Sequence, residues 1–373
     1  MEPLEDDTLP SGIRGRFVEA VNGLQMHVLE AGYEAADRPV VLLLHGFPEL
    51  AYSWRKVIVP LAEAGYRVIA PDQRGYGRTG GWQQGYEVDL RPFNMVNLTR
   101  DIVALTGAMG VAKAAAVVGH DFGASVAAYC AVIRPDLFDK VVLMSAPFGG
   151  PPAFPVPGDA DPADIHAALA ALDRPRKHYQ KYYSTPQADR DMCRCSQGMS
   201  DFLRGYFHAK SADWPGNDPH ALAAWRAEAI AEMPTYYIMN DDQNMAETAA
   251  DFMPGPKEIA ANAWLTDAEL AVYAGEFSRT GLQGGLNWYR CRFESELLDE
   301  LRLFGGRTID LPACFIAGNK DWGAYQRPGA LEKMQRRAFT RMEDIHLVPG
   351  AGHWVQQEQP RATSRLLLDF LAG

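Results

Sequence analysis

Short apolar runs that alternate with helical segments constrain this chain more than any other feature of its sequence. Residues 40–44 form an unbroken run of valine and leucine that stops at a His-Gly pair, as a strand buried on both faces of a parallel sheet would. Similar runs occupy residues 67–70, 115–118, 140–144 and 314–317. The helical segments between them, at 53–64, 94–109 and 124–133, predict an α/β fold with a mostly parallel central sheet and helices on both faces.

The alternation stops after Pro147 and resumes only at Cys314. Residues 148–162 are rich in proline and glycine, and from 163 to about 293 the pattern indicates helices and loops without a buried strand. Two domains in tandem would leave the last strands without a sheet to join. The middle segment is therefore predicted to be an insertion between two strands of one sheet.

We predict one α/β domain that is interrupted by a mainly helical lid. Its parts are an N-terminal extension (1–14), the first part of the core (15–150), the lid (151–294) and the second part of the core (295–373). Ligands of such sheets bind beyond the carboxyl ends of the strands. The residues that follow each apolar run are therefore the place to search for a site.

Charge and composition argue against several classes of partner. The chain carries 36 Lys and Arg against 47 Asp and Glu, a formal net charge of −11, which would repel nucleic acid and anionic membrane surfaces. No apolar run approaches the roughly 20 residues that cross a bilayer, and the acidic first residues do not resemble an export signal. Five scattered cysteines, of which only Cys193 and Cys195 lie close in sequence, suggest reduced thiols and no zinc site. We expect a soluble, cytoplasmic protein that binds neither nucleic acid nor membranes.

The sequence Gly-His-Asp-Phe-Gly at 119–123 lies between a predicted strand and a predicted helix. Small residues at both ends permit the tight strand-to-helix turn of a nucleophile elbow, a motif that usually has serine in the middle. Here the middle residue is Asp121. An aspartate before a helix also serves as an ordinary N-cap, so the motif alone leaves both interpretations open.

Two further residues follow Asp121 in the order that is typical of the α/β-hydrolases. Asp321 comes shortly after the run at 314–317, and His353 lies in a glycine-rich loop after a short run at 345–348. The order nucleophile, acid, histidine is that of the α/β-hydrolases, in which the acid orients the histidine. Each residue alone could be a loop residue or a helix cap, but the three together predict a catalytic triad.

The sequence His-Gly-Phe-Pro-Glu at 45–49 follows the first long run, where this fold supplies an oxyanion-hole amide. We expect the backbone N–H groups of Phe47 and Phe122 to converge there. The alternative is an ordinary strand-to-helix turn shaped by Pro48. Residues 72–77, which end the next strand, are expected to hold their loop in place rather than to contact substrate.

Taken in order, the motifs GHDFG, HGFPE, PDQRGYG, GNKD and GAGHW resemble those of the soluble epoxide hydrolases of the α/β-hydrolase fold. Two segments of the predicted lid, HYQKYY at 178–183 and GLQGGLNWYR at 281–290, are similar to the two lid-tyrosine motifs of that family. The resemblance implies that Tyr179 and Tyr289 are the lid tyrosines, with Tyr182 or Tyr183 as alternatives to Tyr179. Family members commonly carry Trp where this chain has Phe122, which should alter the shape of the pocket.

The resemblance also implies a reaction. Asp121 would attack an epoxide carbon to form an ester, while Tyr179 and Tyr289 protonate the ring oxygen. His353, oriented by Asp321, would then activate the water that hydrolyses the ester, and a diol would leave. Side chains would supply every group, so we expect no metal or organic cofactor. The expected partners are a small apolar epoxide and water.

Two other functions remain compatible with the sequence. A haloalkane or haloacid dehalogenase would use the same Asp-His-Asp triad. Such enzymes bind the leaving halide ion through an N–H donor beside the nucleophile, and the side chain of Phe122 has no such donor. A non-catalytic protein that binds a small molecule could also retain this fold, although no member of the triad is missing. A carboxylesterase would require serine at position 121. Apolar residues on the lid surface would be compatible with a homodimer.

Overall fold

The computed structural model describes residues 2–4, 8–155 and 164–373, and in this part of the chain eight strands form one sheet. They are β1 (Arg14–Val21), β2 (Leu24–Ala31), β3 (Val40–Leu44), β4 (Arg67–Pro71), β5 (Ala114–His120), β6 (Phe138–Met144), β9 (Ala313–Gly318) and β10 (Met342–Val348). Two short strands, β7 (Arg176–His178) and β8 (Ile238–Asn240), form a separate antiparallel pair.

The sheet has the strand order β1-β2-β4-β3-β5-β6-β9-β10. β2 is antiparallel to both of its neighbours, β1 and β4. The remaining neighbours in the sheet, from β4 through β3, β5, β6 and β9 to β10, pair in parallel. All five residues of β3 are buried, as its unbroken apolar run predicts. The α/β fold with a mostly parallel central sheet is therefore confirmed.

Helices pack against this sheet and fill the long connection between β6 and β9. The helices are α1 (Arg55–Glu63), α2 (Met95–Ala108), α3 (Phe122–Ile133), α4 (Ile165–Ala170), α5 (Tyr179–Tyr183), α6 (Ala188–Cys193), α7 (Gly198–Lys210), α8 (Ala227–Ile230), α9 (Met245–Ala250), α10 (Pro256–Ala261), α11 (Asp267–Thr280), α12 (Gln283–Arg290), α13 (Ser295–Arg302), α14 (Ala330–Lys333), α15 (Val355–Glu358) and α16 (Pro360–Ala372). Short 3-10 turns cover Ala51–Trp54, Arg91–Phe93, Pro135–Leu137, Cys291–Phe293 and Trp322–Tyr325, and Met334–Ala338 forms a π-helical turn. No helix in the described ranges is both long enough and apolar enough to cross a membrane.

The expectation that the middle segment contains helices and loops alone was wrong at one place. Strands β7 and β8 pair with each other, and the pairing continues where the N–H of Tyr179 donates to the carbonyl of Tyr237 at 2.9 Å. Each strand has only three residues, which is too short to show a two-residue alternation in the sequence. This pair fixes the start of α5 and hence the position of Tyr179.

The helical segment lies on the core through close backbone contact. A Cβ atom on Gly75 would lie 2.6 Å from the carbonyl carbon of Gly284, so only glycine fits at this crossing. One residue further along α12, a Cβ on Gly285 would lie 2.6 Å from the Tyr76 hydroxyl. The indole N–H of Trp288 then donates to the carbonyl of Arg74 at 3.0 Å. These contacts place α12 directly over the loop that follows β4.

That loop is held by buried charged groups, as expected from its sequence. The Asp72 carboxylate lies 2.8 Å from His27 Nδ1 and accepts the N–H of Ala51 at 2.8 Å. Arg74 forms a two-point contact with Asp101, at 2.8 and 2.7 Å. Neither Asp72 nor Arg74 lines the pocket described below. Residues 72–77 therefore support α12 from beneath rather than contact a ligand.

Candidate active site

A sharp turn between β5 and α3 presents Asp121 at the carboxyl edge of the sheet. Its φ of 50° and ψ of −119° are uncommon for a residue with a side chain. The turn is tight enough that a Cβ on Gly119 would lie 2.1 Å from the carbonyl oxygen of Gly123. The carboxylate makes no capping hydrogen bond to α3. The structure thus has the geometry of an elbow, and Asp121 occupies the N-cap position of α3 without capping the helix through its side chain.

The two carboxylate oxygens of Asp121 have different neighbours. Oδ1 accepts the backbone N–H of Phe47 at 3.0 Å, while Oδ2 lies 3.3 Å from Nε2 of His353. Burial alone would raise the pKa of Asp121, but the hydrogen bond and charge of His353 outweigh burial and hold this pKa far below its usual range. The lowered pKa favours the ionised form of Asp121.

The N–H groups of Phe122 and Phe47 were expected to converge on one oxygen. Among the described residues, the Phe47 N–H donates to the Asp121 carboxylate and the Phe122 N–H does not. Phe122 is the first residue of α3, and its amide makes no hydrogen bond to the Asp121 carboxylate among the contacts of the described residues. A Cβ on Gly46 would lie 2.5 Å from Oδ1 of Asp121. Glycine at position 46 is therefore what allows the Phe47 amide to approach the carboxylate.

His353 and Asp321 lie behind Asp121 and are almost fully buried, each 1% exposed. Nδ1 of His353 is 3.1 Å from Oδ1 of Asp321, which also accepts the N–H of Gly323 at 2.6 Å. Burial raises the pKa of Asp321, but the charge and hydrogen bond of His353 more than offset it and lower this pKa. The ionised Asp321 accepts from Nδ1 of His353, which leaves Nε2 facing Oδ2 of Asp121.

The loop that carries His353 is anchored on both sides of the histidine. Carboxylate oxygens of Glu358 accept the N–H groups of Gly352 and Trp354, each at 2.9 Å, and that of Ala212 at 2.8 Å. The N–H of His353 itself donates to the carbonyl of Lys210 at 2.8 Å. Burial raises the pKa of Glu358 to about 8, although its three amide donors lower it. These bonds tie the histidine loop to the end of α7 in the helical segment.

A buried ion pair beneath the triad escaped the sequence analysis. His120 Nε2 donates to the carbonyl of His353 at 2.7 Å, and its Nδ1 lies 2.5 Å from Oε2 of Glu49. Burial lowers the pKa of His120, but the Glu49 carboxylate outweighs burial and raises it. His120 and Glu49 were both visible as members of GHDFG and HGFPE. Their contact depends on the pairing of β3 with β5, which the motifs themselves do not specify.

Two tyrosines from the helical segment line a small cavity above Asp121. This cavity, which we call the inner pocket, has a volume of about 110 Å³ and is lined by Asp121, Phe122, Tyr179 and Tyr289 among others. The ring centroids of the two tyrosines are 6.0 Å apart, and the Tyr289 ring meets that of Phe122 edge-on at 4.9 Å. Burial and the charge of Asp121 raise the pKa of both phenols, so both keep their protons.

The hydroxyl groups of Tyr182 and Tyr183 are directed elsewhere. Tyr182 donates to Oδ2 of Asp191 at 3.1 Å, and Tyr183 donates to the hydroxyl of Tyr206 at 3.1 Å. The Tyr179 hydroxyl donates to Oε1 of Gln326 at 3.2 Å and accepts from Nε2 of Gln180 at 3.0 Å. Of the three tyrosines, only Tyr179 lines the inner pocket as described.

A second cavity adjoins the inner pocket and opens from it toward the surface. This outer cavity has a volume of about 940 Å³. The two cavities share Ser125, Pro147, Arg292, Arg327 and Ala330 as lining residues. A molecule that reaches Asp121 through the outer cavity therefore passes these shared residues, which include Arg292 and Arg327.

Comparisons with known proteins agree with this geometry. The family model described as alpha/beta hydrolase fold matches residues 39–360. Epoxide hydrolase B of Mycobacterium tuberculosis is 35% identical over 357 residues, which span 94% of this chain and 96% of that protein. Epoxide hydrolase A of the same organism is 34% identical over 360 residues, 94% of this chain and 95% of that protein.

Solved structures give the same result. An epoxide hydrolase from an endophytic Streptomyces superposes with a TM-score of 0.77 at 31% identity, covering 98% of this chain and 96% of that one. Epoxide hydrolase I of potato (Solanum tuberosum) gives 0.73 at 29% identity, covering 96% and 99%. The chain thus belongs to the α/β-hydrolase fold family. Within that fold it is one of the epoxide hydrolases, enzymes that hydrolyse epoxides.

Proposed function

We propose that this enzyme converts its epoxide to a vicinal diol in two steps, through an ester on Asp121. The observation that carries the proposal is the asymmetry of the Asp121 carboxylate. One oxygen is held by the Phe47 amide at 3.0 Å, and the other faces His353 and is free of backbone donors. An ionised carboxylate with one oxygen restrained and one available is suited to nucleophilic attack.

In the first step Oδ2 of Asp121 forms a bond to an epoxide carbon, and the bond from that carbon to the ring oxygen breaks. The alkoxide that results needs a proton, because it is far more basic than any neighbouring side chain. Tyr179 and Tyr289, whose raised pKa values keep them protonated, line the same pocket and supply it. Hydroxyl groups aimed at the developing charge lower the barrier to ring opening.

In the second step His353 removes a proton from water through Nε2, and the resulting hydroxide attacks the ester carbonyl carbon of Asp121. The negative charge then falls on Oδ1, where the Phe47 N–H already donates. We assign the second donation to the N–H of Phe122, which adjoins Asp121 at the first turn of α3 and makes no hydrogen bond to the carboxylate before the reaction. Asp321 stabilises the charged His353. When the intermediate collapses, the bond between the acyl carbon and Oδ2 breaks, and His353 returns its proton to the departing oxygen to give the diol. The carboxylic acid left on Asp121 passes its proton to the phenol that was deprotonated in the first step, which restores the carboxylate.

The helical segment between β6 and β9 acts in this proposal as the lid, with 151–294 as its bounds. Residues 156–163 of that range lie outside the described residues. The lid contributes both phenols and encloses the inner pocket, which has room for the epoxide ring and small apolar substituents. We prefer Tyr179 to Tyr182 and Tyr183 as the first phenol, because its hydroxyl is the one at the pocket.

A dehalogenase would not need these phenols. A halide ion leaves carbon without a proton, so two protonated tyrosines above the nucleophile would serve no purpose in that reaction. The ring of Phe122 also offers no N–H to a halide. The protonated pair Tyr179 and Tyr289 therefore favours epoxide opening over dehalogenation as the activity of this triad.

The test separates the two steps by removing the base. In a His353→Gln variant the ester should form but not hydrolyse, so mass spectrometry after incubation with an epoxide should find the protein heavier by one substrate mass. Digestion should place the added mass on the peptide that contains Asp121. The matched control is the Asp121→Ala, His353→Gln double variant, which should gain no mass.

A second readout follows the oxygen atom. In a single turnover of the wild-type enzyme in ¹⁸O-water, the diol should contain no ¹⁸O, because its new oxygen comes from Asp121. If the diol carries the label and His353→Gln gains no mass while the wild type makes diol, water attacks the epoxide directly and the ester mechanism is wrong.

A further inference from the structure

The lid carries a buried cation to which the proposed reaction gives no role. Lys210, the last residue of α7, is only 3% exposed, and its side chain lies among three aromatic rings. The ammonium nitrogen is 5.2 Å from the ring centroid of Trp354, 5.3 Å from that of Tyr237 and 5.6 Å from that of Tyr206. Because aromatic faces attract cations, these rings hold the ammonium inside the protein.

No carboxylate neutralises this ammonium by direct contact. Within the described part of the chain, no carboxylate oxygen lies within 4 Å of Nζ of Lys210, and the ammonium donates no hydrogen bond. Arg204, which is also buried on α7, instead pairs with Asp267 and donates to the carbonyl of Leu265 at 2.8 Å. Buried cations are usually paired in this way. The charge of Lys210 therefore acts over a longer distance than that of an ordinary salt bridge.

The backbone of Lys210 fixes its position against the triad. Its carbonyl oxygen accepts the N–H of His353 at 2.8 Å. A Cβ atom on Gly352 would lie 2.5 Å from the same oxygen, so only glycine lets the histidine loop approach α7 this closely. The centroid of the Trp354 ring, over which the ammonium lies, is 4.7 Å from that of the His353 ring. The cation and the base of the triad thus contact the same indole.

The charges of the active site interact with this cation. Burial lowers the pKa of Lys210, and nearby negative charges oppose that shift. These charges belong to Asp121, Asp321 and Glu49, of which Asp121 contributes most. Burial raises the pKa of Asp121, but His353 and then the charge of Lys210 lower it. Lys210 and Asp121 therefore each favour the charged form of the other.

The charge on Asp121 changes twice during the proposed reaction. The resting carboxylate is negative, the ester is neutral, and the tetrahedral intermediate is again negative at Oδ1. A fixed positive charge nearby stabilises the first and third of these states relative to the second. The positive charge that His353 gains during hydrolysis is balanced by Asp321, whose Oδ1 lies 3.1 Å from Nδ1. The net effect of Lys210 is to disfavour the ester.

We propose that Lys210 sets the balance between the two steps, because its ammonium slows formation of the Asp121 ester and speeds its hydrolysis. The enzyme then spends less of each turnover as the ester. Lys210 does not line the inner pocket as described, so it acts through Asp121 and is a positioning residue. This inference rests on the proposed function, because it requires an ester on Asp121.

The test measures the two steps separately in Lys210→Met. Stopped-flow tryptophan fluorescence follows ester formation, and mass spectrometry of quenched samples follows loss of the ester. Hydrolysis should slow by about tenfold, because the oxyanion loses a favourable charge, while ester formation should be as fast as in the wild type or faster. A purely structural role would slow both steps together. Equal slowing of both steps, or unchanged hydrolysis, would overturn the proposal.

Two further variants separate charge from packing. Lys210→Arg keeps the charge, so its rate constant for hydrolysis should stay within about threefold of the wild-type value. A loss as large as in Lys210→Met would contradict the role of charge. Arg204→Met is the matched control, because it also removes a buried cation from α7. It should leave the ratio of the two rate constants unchanged, and an effect equal to that of Lys210→Met would overturn the proposal.

A titration tests the interaction without any substitution at Lys210. NMR of His353→Gln protein labelled with [ε-¹³C]lysine should show that the pKa of Lys210 falls when an epoxide converts Asp121 to the ester, because a neighbouring negative charge is lost. Lys113, which precedes the opposite end of β5, should titrate as before. An unchanged pKa of Lys210 in the ester would overturn this inference and leave the reaction at Asp121 intact. Failure of the ester to form would instead count against the proposed function.

Discussion

The inner pocket and the outer cavity meet at Arg292 and Arg327, yet they differ in volume and in the burial of their charged groups. The inner pocket is small, about 110 Å³, and its acids and bases are buried and fully oriented by neighbours, with Asp121 only 8% exposed. The outer cavity is large, about 940 Å³, and its cations lie at the surface and form no ion pair with a carboxylate in the described part of the chain. These cations are Arg292, Arg307, Arg327, Lys333 and Arg337. The first arrangement suits the making and breaking of bonds, and the second suits the selection of a ligand.

The two regions differ in the exposure of their charged groups to water. Charges excluded from water act strongly on one another, so a buried triad can shift pKa values and stabilise a developing oxyanion. Exposed cations interact weakly and over a longer range, and they can accept ligands of several lengths because their side chains are long. Changes in the inner pocket should therefore alter the chemical steps by large factors, and changes in the outer cavity should alter affinity by small ones.

The largest effect is expected at Asp121. Both Asp121→Gly and Asp121→Ala should reduce diol formation by at least about 10³-fold, because the nucleophile is absent. The two variants should differ in stability, since φ at this position is 50°. We expect the glycine variant to be more stable than the alanine variant by about 1 kcal/mol in urea unfolding. Equal stability would indicate that the elbow is not strained.

The lid tyrosines should come next. Tyr179→Phe and Tyr289→Phe should each slow ester formation by about 10- to 100-fold, because each removes one donor to the alkoxide, and the double variant should lose almost all activity. Stopped-flow tryptophan fluorescence measures this step. Tyr183→Phe is the matched control, as its hydroxyl contacts Tyr206 and not the inner pocket. A larger loss in Tyr183→Phe than in Tyr179→Phe would transfer the role to Tyr183.

The smallest effect is expected from pH. Ring opening needs ionised Asp121 and protonated tyrosines, and the pKa of Asp121 is lowered while those of Tyr179 and Tyr289 are raised. The acid form of the tyrosines is lost only when the pH passes their raised pKa values. The rate constant for ester formation should therefore be unchanged between pH 7 and 10. A decline with an apparent pKa below 10 would contradict the role of these phenols.

The elements that local patterns define were predicted well. The run at 40–44 coincides with β3, and the helical segment at 94–109 corresponds to α2 (Met95–Ala108), whose N-cap Asn94 accepts the N–H of Asn97. Strands β7 and β8 were missed, because three residues carry no periodicity. The contact of Glu49 with His120 was also missed, since the two residues are 71 positions apart in the sequence.

The candidate site also has residues that local patterns predict and residues that depend on tertiary contacts. Asp121, Asp321 and His353 each follow a parallel strand, β5, β9 and β10, so their meeting at one edge follows from the parallel order of the sheet. Among the tyrosines, HYQKYY left three alternatives open. The position of Tyr179 depends on the pairing of β7 with β8 and on the contact of α12 with Gly75, which are both tertiary.

The sequence alone determined the class of fold, the residues that can react and their order, because strand burial, turn chemistry and side-chain chemistry are local properties. Only the tertiary structure decided which oxygen of Asp121 is restrained, which tyrosine reaches the inner pocket, and that five cations distant in sequence gather in an acidic protein. The physical reason is that distances between side chains are set by packing between elements.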